Sequence, residues 1–269
     1  MSSSLFSPDY SAQTVLLCED SPEGIFSAIY TAYEKKLSPN YTKIELLPGE
    51  DYQLFTEYIT VSCDTEKAKK VKQTIDKRFG GLTSYVIWCG IYSKERDKAD
   101  IIYHTIARGL SKKYRGELTD FLQDPYIMML SKIQKNVAKE AHHYKGFIRF
   151  AQLDNGILFS KINPKNYILP LVVSHFSDRF SEEDFVIYDE NHHVCLFHER
   201  RKESYLYLPE KEEELHWQKI EERLSKEELE VRGLFKTFHQ SIAIEYRKNL
   251  KLQQNLLPLR FRGNMIDFL

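Results

Sequence analysis

Asn155-Gly156 sits between two strand-like runs in FIRFAQLDNGILFSKI, residues 147–162. An Asn-Gly pair tolerates the positive φ angles of a two-residue type I′ turn, so this stretch predicts an antiparallel hairpin. Any fold of the chain must then carry a sheet after residue 146. Upstream, apolar residues recur at helical spacing from about 83 to 145, and Leu130, Ile133, Val137, Ala141 and Tyr144 form one stripe that stops at Gly146. Downstream, NYILPLVVSHFSDRF (166–180) predicts a helix despite Pro170. DFVIYDENHHVCLFHE (184–199) predicts a second hairpin turning near Glu190-Asn191, and SYLYLP adds a strand.

The two ends complete the plan. TVLLCED (14–20) reads as a strand followed by a helix from Pro22 to about 36, with Pro in the first turn. YITVSC (58–63) repeats the scheme, with Asp64 as N-cap for TEKAKKVKQTIDKRF. Ser225 and Glu228 form an S-x-x-E capping box before LEVRGLFKTFHQSIAIEYRKN, which predicts a long C-terminal helix. The expectation is an α+β protein with N-terminal βα units, a helical middle, an antiparallel sheet of hairpins over about 146–208, and that last helix. MSSSLFSPDYSAQ reads as a flexible leader over 1–12, and the absence of a Pro/Ser/Gly linker or a repeat predicts a single domain over 13–269.

Net charge is −1 over 269 residues, which argues against holding nucleic acid by bulk charge and sends the search to local surfaces. Charge is segregated near the end. Residues 210–230 hold nine Glu against four Lys or Arg, net −5, and 231–269 hold seven Lys or Arg against two acids, net +5. A solvated acidic helix near a basic tail explains this without a ligand; a basic surface for phosphate is the functional alternative. Cys18, Cys63, Cys89 and Cys195 form no CxxC pair and read as free thiols. The start has no signal-peptide pattern and no run reaches a membrane span of about 18 apolar residues, so a cytoplasmic location is expected.

EAHHYKGFIRF (140–150) concentrates chemistry. Lys135, Lys139 and His142 fall on one basic helical face, and His143 lies at i+3 from Glu140. A strand starting at Phe147 places Phe147 and Arg149 on the side opposite Ile148 and Phe150, a ring and a guanidinium suited to a base and its phosphate. Phe147 is core instead if helices cover both faces. His175 and Arg179 are one helical turn apart and flank an apolar stripe, as an anion site or as an ordinary ion-pair feature. Asp189, His192, His193 and His198 surround the second hairpin, but their spacing matches no metal motif, so no metal is expected. GxGxxG, GxxxxGK[ST] and GxSxG are absent from the sequence, and no cofactor is implied. Distant segments can still assemble an active site, with Glu140 and His142 or His175 as an acid-base pair.

LLCEDSPEGIFSAIYTAYEKK, VSCDTEKAKKV, IYHTIARGL, KNVAKEAHHYKGFIRF, YILPLVVSHFSDRF, VIYDENHHVCLF and FHQSIAIEYRKNLKLQQNLLPLRF, in this order, resemble a bacterial family of "probable DNA metabolism protein", over about 14–262. The resemblance implies a DNA repair or modification context. Members are encoded beside a radical-SAM protein that resembles a DNA-repair lyase, and a related domain is fused to a uracil-DNA glycosylase. It implies no established reaction. The family-like polar residues are Glu140, His142, Arg149, His175, Arg179, Asp189, Arg247 and Arg260. His143-Tyr144 stands where a basic residue and Met are usual, and Phe261-Arg262 where an aromatic pair is usual.

Three functions remain open. In the favoured one the chain binds DNA or another nucleic acid as partner of the radical-SAM protein. Arg149, Arg179, Arg247 and Arg260 contact phosphate, Phe147 stacks on a base, and Glu140 with His142 touches its edge, with Asp189 alongside. In the second it is a nucleotide- or base-directed hydrolase using Glu140 as acid/base and His175 to orient substrate. In the third it is a protein adaptor acting through the acidic 210–230 segment.

Overall fold

The computed structural model describes residues 14–49, 52–111, 117–210 and 223–262. The expected leader, and most of the acidic run at 211–222, lie outside the described residues. The chain divides into two compact units, residues 1–138 and 139–269. The fold is α+β, as the sequence predicts.

The first unit is built on a parallel sheet of three strands, β1 (Thr14–Cys18), β2 (Thr42–Leu46) and β3 (Glu57–Thr60), in the order β2-β1-β3. β1 is paired on both sides, which is why VLLC reads as an unbroken apolar run. α1 (Pro22–Glu34) starts where expected, its Ser21 N-cap accepting from Gly24 N at 3.0 Å. α2 (Thr65–Arg78) is capped by Asp64, which accepts from the amides of Glu66 and Lys67. β2 escapes the sequence reading: TKIEL alternates buried and half-buried residues over five positions, too short a run to stand out. α3 (Gly81–Ile91) and α4 (Lys98–Leu110) follow, and α4 ties back to the sheet through Asp100, whose Oδ1 accepts from Ile44 N at 3.1 Å.

α5 (Pro125–Phe147) contains the boundary between the units. Its expected stripe is buried throughout: Leu130, Ile133, Val137, Ala141 and Tyr144. The helix continues to Phe147, so the strand expected from that residue does not form. The first strand of the second sheet is the two-residue β4 (Ala151–Gln152).

That sheet runs β4-β5-β6-β7-β8, with β5 (Leu158–Ile162), β6 (Phe185–Asp189), β7 (Val194–His198) and β8 (Tyr205–Tyr207). It is mixed rather than wholly antiparallel: β5 and β6 are parallel, because α6 (Leu169–Arg179) carries the chain back across the sheet between them. The β6–β7 hairpin forms as predicted. The Asn155-Gly156 turn also forms, but by another geometry. Only Gly156 has positive φ (83°), Gly156 N donates to Leu153 O, and Leu153 N donates to Ile157 O, which is a type I turn closed by a glycine bulge.

Phe185, Ile187 and Leu196 on one face of this sheet pack with Leu169, Val172 and Phe176 of α6 and with Ala141 and Tyr144 of α5. Phe159, Val186, Tyr188 and Cys195 form a cluster on the other face. The last long helix is shorter than predicted. α7 (Lys226–Ile242) ends at Ala243, and a single 3-10 turn at Glu245–Arg247 leads to α8 (Leu250–Leu256). Ser225 caps α7 by accepting from Glu228 N. The Glu228 carboxylate does not return to Ser225; it accepts from Gln152 N at 3.3 Å and pairs with Arg232. All four cysteines are free thiols, and no described helix is long and apolar enough to cross a membrane.

Candidate functional site

Parallel β5 and β6 end side by side, Ile162 opposite Asp189. The loop Asn163–Tyr167 leaves β5 and the turn Glu190–His193 leaves β6, and the carboxyl edge of parallel strands is where α/β units hold ligands. Glu140 organises this edge. It is 4% exposed, and its two oxygens accept from Lys165 N (3.2 Å), Asn166 N (3.0 Å) and Asn166 Nδ2 (2.6 Å), with Arg260 3.4 Å away. Two backbone amides, one side-chain amide and a guanidinium answer the buried carboxylate. Its role here is to clamp the loop and the C-terminal turn.

The turn after β6 has a second buried carboxylate. Asp189 Oδ1 accepts from Asn191 N (3.1 Å) and His192 N (3.2 Å), and Oδ2 lies 2.7 Å from His192 Nδ1. Burial pushes the Asp189 carboxyl above its ordinary range, and His192 opposes that shift. Asn191 Nδ2 donates to Pro164 O at 2.8 Å, joining turn to loop. Tyr167 packs 5.5 Å from the His192 ring, and burial followed by the Asp189 charge pushes its phenol up to about 12. Burial, then Glu140, raises the Tyr144 phenol; Asp189 adds to the rise and Arg260 opposes it, so these groups share one electrostatic neighbourhood.

The C-terminal turn docks by aromatic packing. Phe261 is buried with its ring 5.0 Å from both Tyr144 and Phe147 and 5.5 Å from His143. Phe147 is thus a packing residue at the end of a helix, half-buried against the core. His143 sits in the same cluster with Nδ1 buried. Burial first, then Lys139, Arg260 and His142, lowers its pKa.

The other expected residues are dispersed. Arg149 is exposed and its guanidinium donates to Gly146 O (3.0 Å) and Ile148 O (3.2 Å), closing the carbonyl end of α5. His142 is exposed on α5, and Arg247 is exposed after α7. His175 is half-buried, its ring 5.0 Å from Phe176. Arg179 is exposed over the Phe180 ring at 5.6 Å. Of the nine residues, Glu140 and Arg260 pair directly, Phe147 meets the turn that carries Arg260, and Asp189 shares Tyr144 with them. Among the described residues, no hydrogen bond or ion pair joins His175 or Arg179 to Glu140. No group of three or more His, Cys, Asp or Glu among them is placed to hold a metal ion.

Asn166, Phe261 and His192 are absent from the residues favoured on sequence. Asp189-x-x-His192 did carry a signal, since Asp at a strand end commonly accepts from amides two and three residues on. Asn166 and Phe261 carried none, because their partners lie 26 and over 100 positions away in the chain.

A distinct surface follows in α7 and α8. Neither helix contains a buried residue. Phe235 (45%), Phe238 (58%) and Tyr246 (101%) are exposed, as are the cations Lys236, Arg247, Lys248 and Lys251.

No curated protein matches this chain. A solved structure described as the DHH domain of a member of a family of ribosomal proteins aligns at 11% identity over 69% of this chain and 73% of that one, with a TM-score of 0.28, too low to establish a common fold. A family model does match, over residues 96–267, and by it the chain belongs to DUF4130, a domain of unknown function.

Proposed function

We propose that the second unit binds single-stranded nucleic acid through the α7–α8 segment. The observation that carries this reading is the interleaving of solvent-facing Phe235, Phe238 and Tyr246 with Lys236, Arg247, Lys248 and Lys251. Rings offer a stacking face to any base and cations follow the phosphates, which together favour an open strand over a duplex. Arg260 is partly neutralised by Glu140 and Arg149 is engaged by its own helix end, so the phosphate contacts belong mainly to the α7–α8 cations. The DNA repair or modification context implied by the family resemblance fits such a module. Within the same proposal, a radical-SAM protein is its working partner in the cytoplasm.

The test is fluorescence anisotropy with labelled single-stranded and duplex DNA and RNA at two salt concentrations. Tighter binding to single strands is expected, weakening with salt. Arg247→Ala with Lys251→Ala should reduce the salt slope by about 2. Tyr246→Ala should cost about 1–3 kcal/mol of binding. Absence of binding at low salt, or binding indifferent to Tyr246→Ala and to the lost cations, rejects the reading.

A further inference from the structure

The turn after β6 holds a group that strand binding does not use. Asp189, fully buried, is fixed by two backbone amides on one oxygen and meets His192 Nδ1 with the other at 2.7 Å. A carboxylate on Nδ1 holds the neutral ring as the Nδ1–H tautomer and leaves the lone pair on Nε2. The His192 side chain is 28% exposed, and no described residue bonds to its Nε2. Orientation is fixed a second time by the Tyr167 ring and by Asn191, which straps the turn to Pro164. The pair stands at the carboxyl edge of parallel β5 and β6.

We propose that His192 is a general base, positioned by Asp189, for hydrolysis of a phosphodiester. The substrate class rests on the nucleic-acid reading; the dyad itself does not. Nε2 takes a proton from water as the water oxygen bonds to phosphorus. The ester P–O bond breaks, and the imidazolium returns the proton to the departing oxygen. The products are a phosphomonoester and an alcohol, and no oxidant or other co-reactant is consumed. An imidazole held by a carboxylate is suited to this because the ring is already aimed.

The experiment uses the full chain with bis(p-nitrophenyl) phosphate, beside strand binding measured on the same samples. Wild type should release nitrophenol, and His192→Gln should lower kcat by about 100-fold or more. Asp189→Asn keeps an oxygen for the two amides, so the turn stays folded while the ring switches tautomer. It should lower kcat by at least about tenfold with little change in KM, and 15N NMR should show the His192 proton moving from Nδ1 to Nε2. No release above buffer, or equal release from wild type and His192→Gln, overturns the general base and leaves Asp189–His192 as a turn clamp. Strand binding without turnover defeats the dyad alone; turnover without strand binding supports it and defeats the nucleic-acid reading.

Discussion

The loop after β5 and the α7–α8 segment belong to the same unit and follow opposite rules. At the loop, polar groups are buried and answer one another: Glu140 takes three hydrogen bonds and a guanidinium, and Asp189 takes two amides and an imidazole. In α7 and α8 no residue is buried, and rings and cations face water. Buried polar networks destabilise unless complete, so the first region can be changed only by disturbing the fold. The second has no buried residue in either helix, so it can be changed with little cost to the described core.

The sharpest way to break this contrast is to empty the clamp. Glu140→Ala removes the acceptor shared by the Asn166 amides and the anion facing Arg260, an expected loss of about 3–5 kcal/mol in urea denaturation. Glu140→Gln keeps an acceptor and should lose less. A loss below about 1 kcal/mol for the alanine variant would mean the loop is held by other contacts. Phe261→Ala removes a ring buried among Tyr144, Phe147 and His143 and should cost about 3 kcal/mol, which tests whether the C-terminal turn is part of the core.

Ser225→Ala probes the border between the two regions. Its hydroxyl accepts from Glu228 N at the start of α7, so about 1 kcal/mol should be lost, with fraying of α7 visible in amide exchange. A pH experiment gives a smaller effect. His143 has a pKa lowered in the fold, so the unfolded chain takes up its proton first as pH falls. Its contribution is complete above the unfolded value of 6.5 and declines as pH drops from there through the lower folded pKa. The urea midpoint should fall between about pH 7.5 and 5.5, and His143→Leu should fall less. An equal fall would place the titration on another group.

Legibility in the sequence divides along similar lines. Features set by neighbouring residues were readable: the Ser21, Asp64 and Ser225 caps, the α5 stripe through Tyr144, and the β6–β7 hairpin. Features set by distant partners were not. β5 and β6 look like members of successive hairpins until α6 is seen to carry the chain between them, since a strand's sequence does not state its neighbour's direction. FIRF alternates like a strand, yet its first residue finishes a helix whose end is closed by Arg149. Glu140 was singled out for its type, but its meaning comes from Lys165, Asn166 and Arg260, which only the fold brings to it.

The smallest predicted effect on stability is also the most informative about the contrast. Phe238 is 58% exposed on a helix with no buried residue, so Phe238→Ser removes little packing and should change the free energy of unfolding by no more than about 0.5 kcal/mol. Strand binding should fall nonetheless, because a stacking face is lost while every cation stays. If the same change instead destabilised the protein by about 2 kcal/mol or more, the ring would be shown to be packed in solution. The α7 surface would then be a structural contact, and the basic residues following it would have to bind phosphate without an aromatic platform.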